Sequence, residues 1–431
     1  MLTLMIIVFF GCMLIGVPMA YSAGLATISY VLTSGIPLTV LAQQMFVSAD
    51  NFSMIAIPLF ILAGDFMNNG GITKAIMHFA RALVGHIRGS LAHVTILANM
   101  MFAAMSGSAN AACAVMGSMM IPEMKDEGYD DGFACAVTDS SSILGPIIPP
   151  SIIFVLYGSI TGTPVSSLLV AGIVPGVLIG LFFMIAAYLF ARVHKYPTSA
   201  HVSWKERLSA FVHAIPALMA PLIIVGGILS GIFTATEAGV VLCLYCGLLS
   251  ILYKEMTLKS FYNLLADTME SSATILFLIA ASSIMSYVMS YSGIPAAISN
   301  ALMSVSSNRY VILLIMNVFL LVMGMFLDLT PAVLIFTPIF LPITRSIGMS
   351  DVQFGIMLIM NLGIGSVTPP VGSCLFVGCG VGKVKIEGVT KYIVPLFAAM
   401  VVALFLVTFI PAIALVVPYL CGLVPSLGWT M

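Results

Sequence analysis

Apolar runs long enough to cross a bilayer recur along this chain, divided by short polar stretches that hold most of the charge. Against the roughly 20 apolar residues that a hydrocarbon core requires, the pattern predicts spans near 4–31, 52–68, 168–191, 211–228, 236–252, 272–291 and 393–417. Two further apolar stretches carry a polar centre: 91–122 with Ser106-Gly-Ser-Ala-Asn110, and 310–342 with Asp328-Leu-Thr-Pro331. They read as re-entrant hairpins, which dip into the membrane and return on the same side. The stretches 131–163 and 352–382 are interrupted by Gly145-Pro-Ile-Ile-Pro149-Pro150 and Gly365-Ser-Val-Thr-Pro369-Pro370, and read as broken helices. In lipid every unpaired backbone group is costly, so a helix is broken at that depth where the freed groups line a buried polar site. Between spans, 72–88 sets Lys74, His78, Arg81 and Arg88 among apolar residues at helical spacing, as in a helix lying in the interface plane.

Composition places the whole chain in that solvent: 61% of its 431 residues are hydrophobic and 7% are charged. It is read as an all-α polytopic membrane protein. The 15 Lys and Arg against 16 Asp and Glu leave no basic excess, which sets nucleic acid aside as a partner. The eight cysteines lie mostly in apolar runs and show no metal or redox spacing beyond Cys243-Leu-Tyr-Cys246, so they read as small apolar residues. The first 30 residues lack a basic start and a small-residue cleavage site, and read as a retained helix. With the amino terminus inside, thirteen of the 15 Lys and Arg, from Lys74 through Lys254 to Lys391, face the cytoplasm and only Arg309 and Arg345 face out. That trace makes both hairpins re-entrant, the first opening inward and the second outward, and leaves the carboxyl terminus outside.

The same trace inverts the two halves. Residues 1–210 form a first repeat, 211–230 a linker helix and 231–431 a second repeat. Sliding the chain along itself by one fixed offset, without a gap, aligns Pro122 with Pro342, Gly128 with Gly348, Asp131 with Asp351, Gly145 with Gly365, Pro149 and Pro150 with Pro369 and Pro370, and Gly158 with Gly378. Chance predicts about 0.4 Gly or Pro matches over the aligned segment, and six occur. Two inverted repeats with paired helix breaks point to a transporter.

The polar centre suggests which cargo. The hairpin tips offer Ser106, Ser108, Asn110, Asp328 and Thr330; the breaks offer carbonyls with Ser140, Ser141, Ser142, Ser366, Thr368 and Ser373. Hard, mostly neutral oxygen ligands beside half-helix carboxyl ends suit Na⁺, and two pseudo-symmetric sites suit two ions. Ser and Gly also pack membrane helices closely, but clusters at a hairpin tip opposite a helix break, found twice, favour an ion site. Intramembrane acids mark function. Asp328 is the first candidate, Asp139 either serves a site or pairs with a hydroxyl, and Asp65 and Glu237 lie near span ends, where capping accounts for them. No Lys or Arg falls at the bilayer centre, so an anionic substrate would need bound sodium and half-helix amino ends to neutralise it.

These residues carry a family resemblance. Ile57-Pro-Leu-Phe-Ile-Leu-Ala-Gly-Asp65, Gly70-Gly, Leu83-Val-Gly-His, Gly89-Ser-Leu-Ala, Met105-Ser-Gly-Ser-Ala109 and Gly145-Pro-Ile-Ile-Pro-Pro-Ser151 are followed by Thr236-Glu-Ala-Gly, Phe326-Leu-Asp-Leu-Thr-Pro331 and Gly365-Ser-Val-Thr-Pro-Pro-Val-Gly372. The ordered set resembles the large membrane subunit of tripartite ATP-independent periplasmic (TRAP) transporters over nearly the whole chain. The resemblance implies a bacterial inner-membrane location, a small four-helix membrane subunit, a periplasmic binding protein that delivers an organic acid (sialic acid, a C4-dicarboxylate, a related sugar acid or a sulfonate), and a sodium gradient as the drive. It also implies an inverted-repeat, elevator-type ion transporter, in which a mobile domain of 91–163 plus 310–382 slides on the remaining scaffold. One sodium site would then be framed by Ser106, Ser108 and Asn110 with Gly145 and Pro149, the other by Asp328 and Thr330 with Gly365, Thr368 and Pro369. The substrate would lie among Ser106, Ser108, Ser142, Pro150, Ser366, Thr368 and Pro370. Asn110-Ala-Ala-Cys113 departs from the more polar run of many relatives. A stand-alone Na⁺- or H⁺-coupled carboxylate carrier is the alternative; a channel and an intramembrane aspartyl protease fit less well, since neither Asp139 nor Asp328 sits in Gly-x-Gly-Asp, and no enzymatic activity is expected.

Overall fold

The computed structural model describes residues 1–68, 71–198, 202–253, 256–306 and 308–429; Gly70 and Lys254, named above, lie outside the described residues. Every regular element among them is helical. The chain opens with α1 (Leu2–Leu14), α2 (Met19–Ser34), α3 (Leu38–Ala49), a short 3-10 turn (Phe52–Ile55), α4 (Ala56–Asn68) and α5 (Gly71–Val84). The first hairpin is α6 (Ser90–Ser106) and α7 (Ala109–Asp126), and the first broken helix is α8 (Asp131–Ser142) and α9 (Ile152–Thr161). Then come α10 (Val165–Ala171), α11 (Ile173–His194), α12 (Trp204–Leu229), α13 (Ala235–Leu252), the 34-residue α14 (Leu258–Tyr291) and α15 (Ile294–Val305). The second hairpin is α16 (Arg309–Phe326) and α17 (Leu329–Ser346), the second broken helix α18 (Asp351–Ser366) and α19 (Ser373–Gly382), and the chain closes with α20 (Ile386–Phe409) and α21 (Pro411–Leu420). Among the described residues seven helices are long and apolar enough to cross a membrane, or eight if α3 and the segment after it, bent by 60°, form one span.

The hairpins and breaks fall where the polar interruptions lie, and several other boundaries differ from expectation. The apolar run 4–31 is two helices, because Gly16 turns at φ +83° and Pro18 brings no amide donor. α1 packs side by side with α2. The expectation of a cytoplasmic amino terminus rested on a single crossing there, and loses that support. The run 393–417 divides at Pro411, the first residue of α21. α3 and α15, at 12 residues each, are too short for a full-crossing ruler. α14 begins at Leu258 rather than 272, since its first half carries Asn263, Asp267 and Glu270.

Inversion is visible in the contacts. Lys125 pairs with Asp131 at 3.2 Å where α7 turns into α8, and at the equivalent place in the second repeat, where α17 turns into α18, Arg345 pairs with Asp351 at 2.6 Å. Lys125 also reaches the carbonyl of Gly382 at the end of α19, while Tyr157 in α9 donates to the carbonyl of Asp351 at the start of α18. Each broken helix therefore ends beside the start of the other, and the two run antiparallel. α20 packs on α8, α11 and α18, and α11 packs on α6, so one compact body gathers hairpins, breaks and these two helices. Around it lie α4 with α13, α5 with α12, and α14 with α2 and α3; α14 and α15 touch the body at α17, and α4 and α5 touch it at α6.

Candidate functional site

Both hairpin tips are made by helix caps. Gly107, at φ +60°, ends α6, and Ser108 caps α7 by accepting from the Ala111 amide at 3.4 Å. Asp328 stands at the cap of α17 but makes no cap bond with its side chain. Its carboxylate instead accepts from the Ser373 hydroxyl at 2.8 Å, at the start of α19, and from the Asn110 amide at 3.5 Å. One oxygen thus joins the second hairpin, the second break and the first hairpin.

Each tip lies against a break with no room for a side chain. A Cβ on Gly145 would meet the carbonyl carbon and oxygen of Ser108 at 2.8 Å and the Ala109 nitrogen at 3.1 Å, and one on Gly365 would run into the backbone of Gly324. The Gly372 amide donates to the Met325 carbonyl at 2.9 Å, fixing the second break to the end of α16. Around Gly372, at φ +55°, the carbonyl oxygens of Ser366 and Thr368 both lie 3.0 Å from its missing Cβ, so a side chain there would meet the backbone of the break. The Pro149-Pro150 and Pro369-Pro370 bonds are both cis. Ser151 caps α9 and donates to the Pro146 carbonyl at 2.7 Å.

A cavity of about 80 Å³ sits at this meeting point, lined by Gly107, Ser108, Ala109, Asn110 and Pro146 from one half and Asp328, Leu329, Thr330, Ser366 and Ser373 from the other, with Ile152, Ile153 and Ile275. The amino ends of α7, α9, α17 and α19 all border it. Each carries about half a positive charge, and no Lys or Arg lines the space. Through Asn110, Asp328 and Thr330 it adjoins a vestibule of about 830 Å³, whose walls include Tyr21, Asp267, Glu270, Ser271 and Thr274.

The structure therefore brings Ser108, Asn110, Asp328, Thr330 and Ser366 to one cavity. Ser106 is buried beside it and bonds the Ser108 carbonyl at 3.4 Å. Thr368 turns its hydroxyl back to the Ile364 carbonyl at 2.6 Å. Ser142 does not line the cavity; it bonds the Asp139 carbonyl and the thiol of Cys374. Pro149 and Pro150 are buried, whereas Pro370 is exposed. Asp139 is fully buried; one oxygen accepts from the Cys113 thiol at 3.2 Å and the other has no partner among the described residues. Gly378 makes room for that carboxyl. Asp65 accepts from Thr268 at 2.8 Å, joining α4 to α14, and Glu237 closes a capping box with Thr234.

Two buried pairs escaped the sequence reading. Asn99 of α6 donates to Ser141 of α8 at 2.6 Å, and Asn361 of α18 donates to Asn317 of α16 at 2.8 Å. Ser141 and Asn361 occupy equivalent places in the two repeats, so each hairpin is tied to its broken helix by an equivalent polar contact. Three asparagines inside otherwise apolar runs, Asn99, Asn317 and Asn361, were the available signal.

The chain matches the family model of the "Tripartite ATP-independent periplasmic transporter, DctM component" over residues 6–413. It is 41% identical to the YgiK protein of Salmonella typhimurium over 96% of this chain and 97% of that one. It is 35% identical to the sialic acid TRAP transporter large permease protein SiaM of Vibrio cholerae, over 95% of this chain and 96% of that one. Among solved structures, the YdaH transporter of Alcanivorax borkumensis superimposes with a TM-score of 0.65 at 13% identity, over 88% of this chain and 89% of that one, a likeness of fold.

Proposed function

The chain belongs to the DctM-component family of the tripartite ATP-independent periplasmic transporters, and on that premise we propose that it is the large membrane subunit of a sodium-driven importer of an organic acid. The observation that carries this reading is the cavity bordered by four helix amino ends and no basic side chain. Together those ends attract an anion, yet Asp328 stands among them, so a carboxylate binds well only when cations offset it. Sodium at the two breaks, framed by Ser106, Ser108, Asn110 and Gly145 on one side and by Asp328, Thr330, Gly365 and Thr368 on the other, supplies that charge. Sialic acid, which the Vibrio relative is named for, and C4-dicarboxylates are the substrates of choice. A small four-helix subunit and a periplasmic binding protein complete the transporter.

On this reading the moving body of the elevator is built on 91–163 plus 310–382. It takes in α11 and α20, which pack on the broken helices, and slides past α4, α5, α14 and α15. Lys125, Lys383 and Lys385 at the cytoplasmic end and Arg345 at the periplasmic end orient the protein in the inner membrane. The carboxyl terminus is periplasmic on this reading, since Trp429 lies under Arg309. The vestibule beside Asp328 then opens to the cytoplasm, as in an inward-facing state.

Uptake of radiolabelled sialic acid or succinate into proteoliposomes, with an inward sodium gradient and with or without the binding protein, tests the proposal. Uptake needing both supports it. Sodium-driven uptake without the binding protein identifies a stand-alone carrier instead, and uptake indifferent to sodium removes the coupling ion.

A further inference from the structure

On the side of the hairpin tips away from the vestibule, a second cavity of about 430 Å³ lies between the outer half of α14, the end of α3 and the end of α9. Gln44, Ser48, Asn51, Ser159, Ser282, Ser286 and Tyr287 supply its polar walls, and no charged residue lines it. Its size falls within the roughly 300–1,000 Å³ of small-molecule sites. Ser282 is only 3% exposed, and its hydroxyl makes no hydrogen bond among the described residues. An unspent hydroxyl on a cavity wall is open to a ligand's polar groups, and alanine would serve α14 equally well if packing were the whole purpose. Asn51 lines the space and uses its side-chain carbonyl on the Ser53 amide, while its NH₂ group makes no hydrogen bond among the described residues. Ser159 and Ser283, by contrast, are spent on the carbonyls of Leu156 and Ala280.

Free hydroxyls and amides with no cation recognise hydroxyl and amide groups, and have nothing to pair with a carboxylate. Ile279 and Leu334 form the inner wall, one helical turn from Ile275 and Thr330 of the tip cavity, so a single apolar layer divides the two spaces. We propose that this hydroxyl-lined cavity is a periplasmic subsite that holds the polyhydroxylated portion of a sugar acid before the tip cavity takes up its carboxylate. The inference rests on the importer reading for its direction, and narrows the substrate class from organic acids in general to hydroxyl-rich ones.

The test uses spheroplasts carrying the complete transporter, with Cys12 and Cys421 replaced by serine and with Ser286→Cys as reporter. A membrane-impermeant maleimide is applied from outside, alone and with sialic acid, gluconate or succinate. Labelling slowed about fivefold by either hydroxylated acid at roughly four times its Kd, with succinate inert, supports the subsite. Equal protection by all three acids, protection by none, or no labelling at all overturns it. A second variant, Ser282→Ala, is expected to raise KM for a sugar acid while leaving the half-saturating sodium concentration in place; an unchanged KM overturns the role of Ser282. Labelling does not depend on the sodium gradient, so loss of sodium coupling with protection intact refutes the importer reading and leaves the subsite standing.

Discussion

Gly145→Ala places one methyl group where the first hairpin tip meets the first break. The new Cβ would lie 2.8 Å from the carbonyl carbon and oxygen of Ser108 and 3.1 Å from the Ala109 nitrogen, all of them backbone atoms of a cap that cannot swing aside. Ordinary contact for a Cβ begins near 3.4 Å, so tip and break must part by about half an ångström. Forcing an extra methyl into a packed core costs about 1–3 kcal/mol. If sodium is bound by oxygens from both faces of this seam, the bound form requires the closed arrangement and the strain falls on it. The half-saturating sodium concentration for uptake should then rise between about 5-fold and about 150-fold, with the maximal rate approached at high sodium. Gly363→Ala in α18 is the control, since its Cβ would meet only Ile143 at 3.9 Å, an ordinary contact. Sodium-activation curves of both variants, taken with thermal unfolding to verify folding, decide the matter. A Gly145→Ala protein that folds and keeps its sodium activation curve would refute an ion site at the first seam.

Three further outcomes are expected. Asp328→Ala removes the acceptor shared by Ser373 and Asn110 and should weaken sodium activation while assembly with the small subunit persists; unchanged sodium dependence would exclude Asp328 from the site. Replacing either Asn317 or Asn361 with leucine removes the bond between them but leaves Asn361 its bond to the Met357 carbonyl, or Asn317 its bonds with Leu313 and Thr408, and should cost about 0.5–1.5 kcal/mol. The double replacement should cost less than the sum of the two, and strictly additive unfolding shifts would refute the pairing. A cysteine at Ser108, in the cavity next to the vestibule, should react with a cytoplasmic maleimide in the inward state and be shielded in the outward one; equal labelling in both would count against a sliding body.

The hairpins and breaks were legible because lipid punishes interruption. Polar tips such as Ser106 to Asn110 and the two Pro-Pro pairs stand out against apolar runs, and glycines kept in register between the halves, such as Gly145 with Gly365, carry the repeat. Short helices such as α3 and α15 were not legible, since a ruler tuned to a full crossing passes over 12-residue segments. The long first half of α14 was hidden by Asp267 and Glu270, which a hydropathy reading sends to water and the fold turns into the vestibule wall. Ser142 shows the limit for sites: it belongs to the right cluster, but the helical turn at the end of α8 points it at Cys374 rather than into the cavity.

By itself the sequence determined the solvent, the inverted pair of hairpins and broken helices, and the oxygen-rich character of the centre, because periodicity, backbone-shaping Gly and Pro, and charge placement are local properties. Only the tertiary structure decided that one carboxylate, Asp328, spans both halves, that four helix amino ends converge on one small cavity, and that Asn99 with Ser141 and Asn361 with Asn317 tie hairpin to break. Those contacts join residues 42 to 218 positions apart, and pairing across such distances is set by how the helices pack, which no local pattern records.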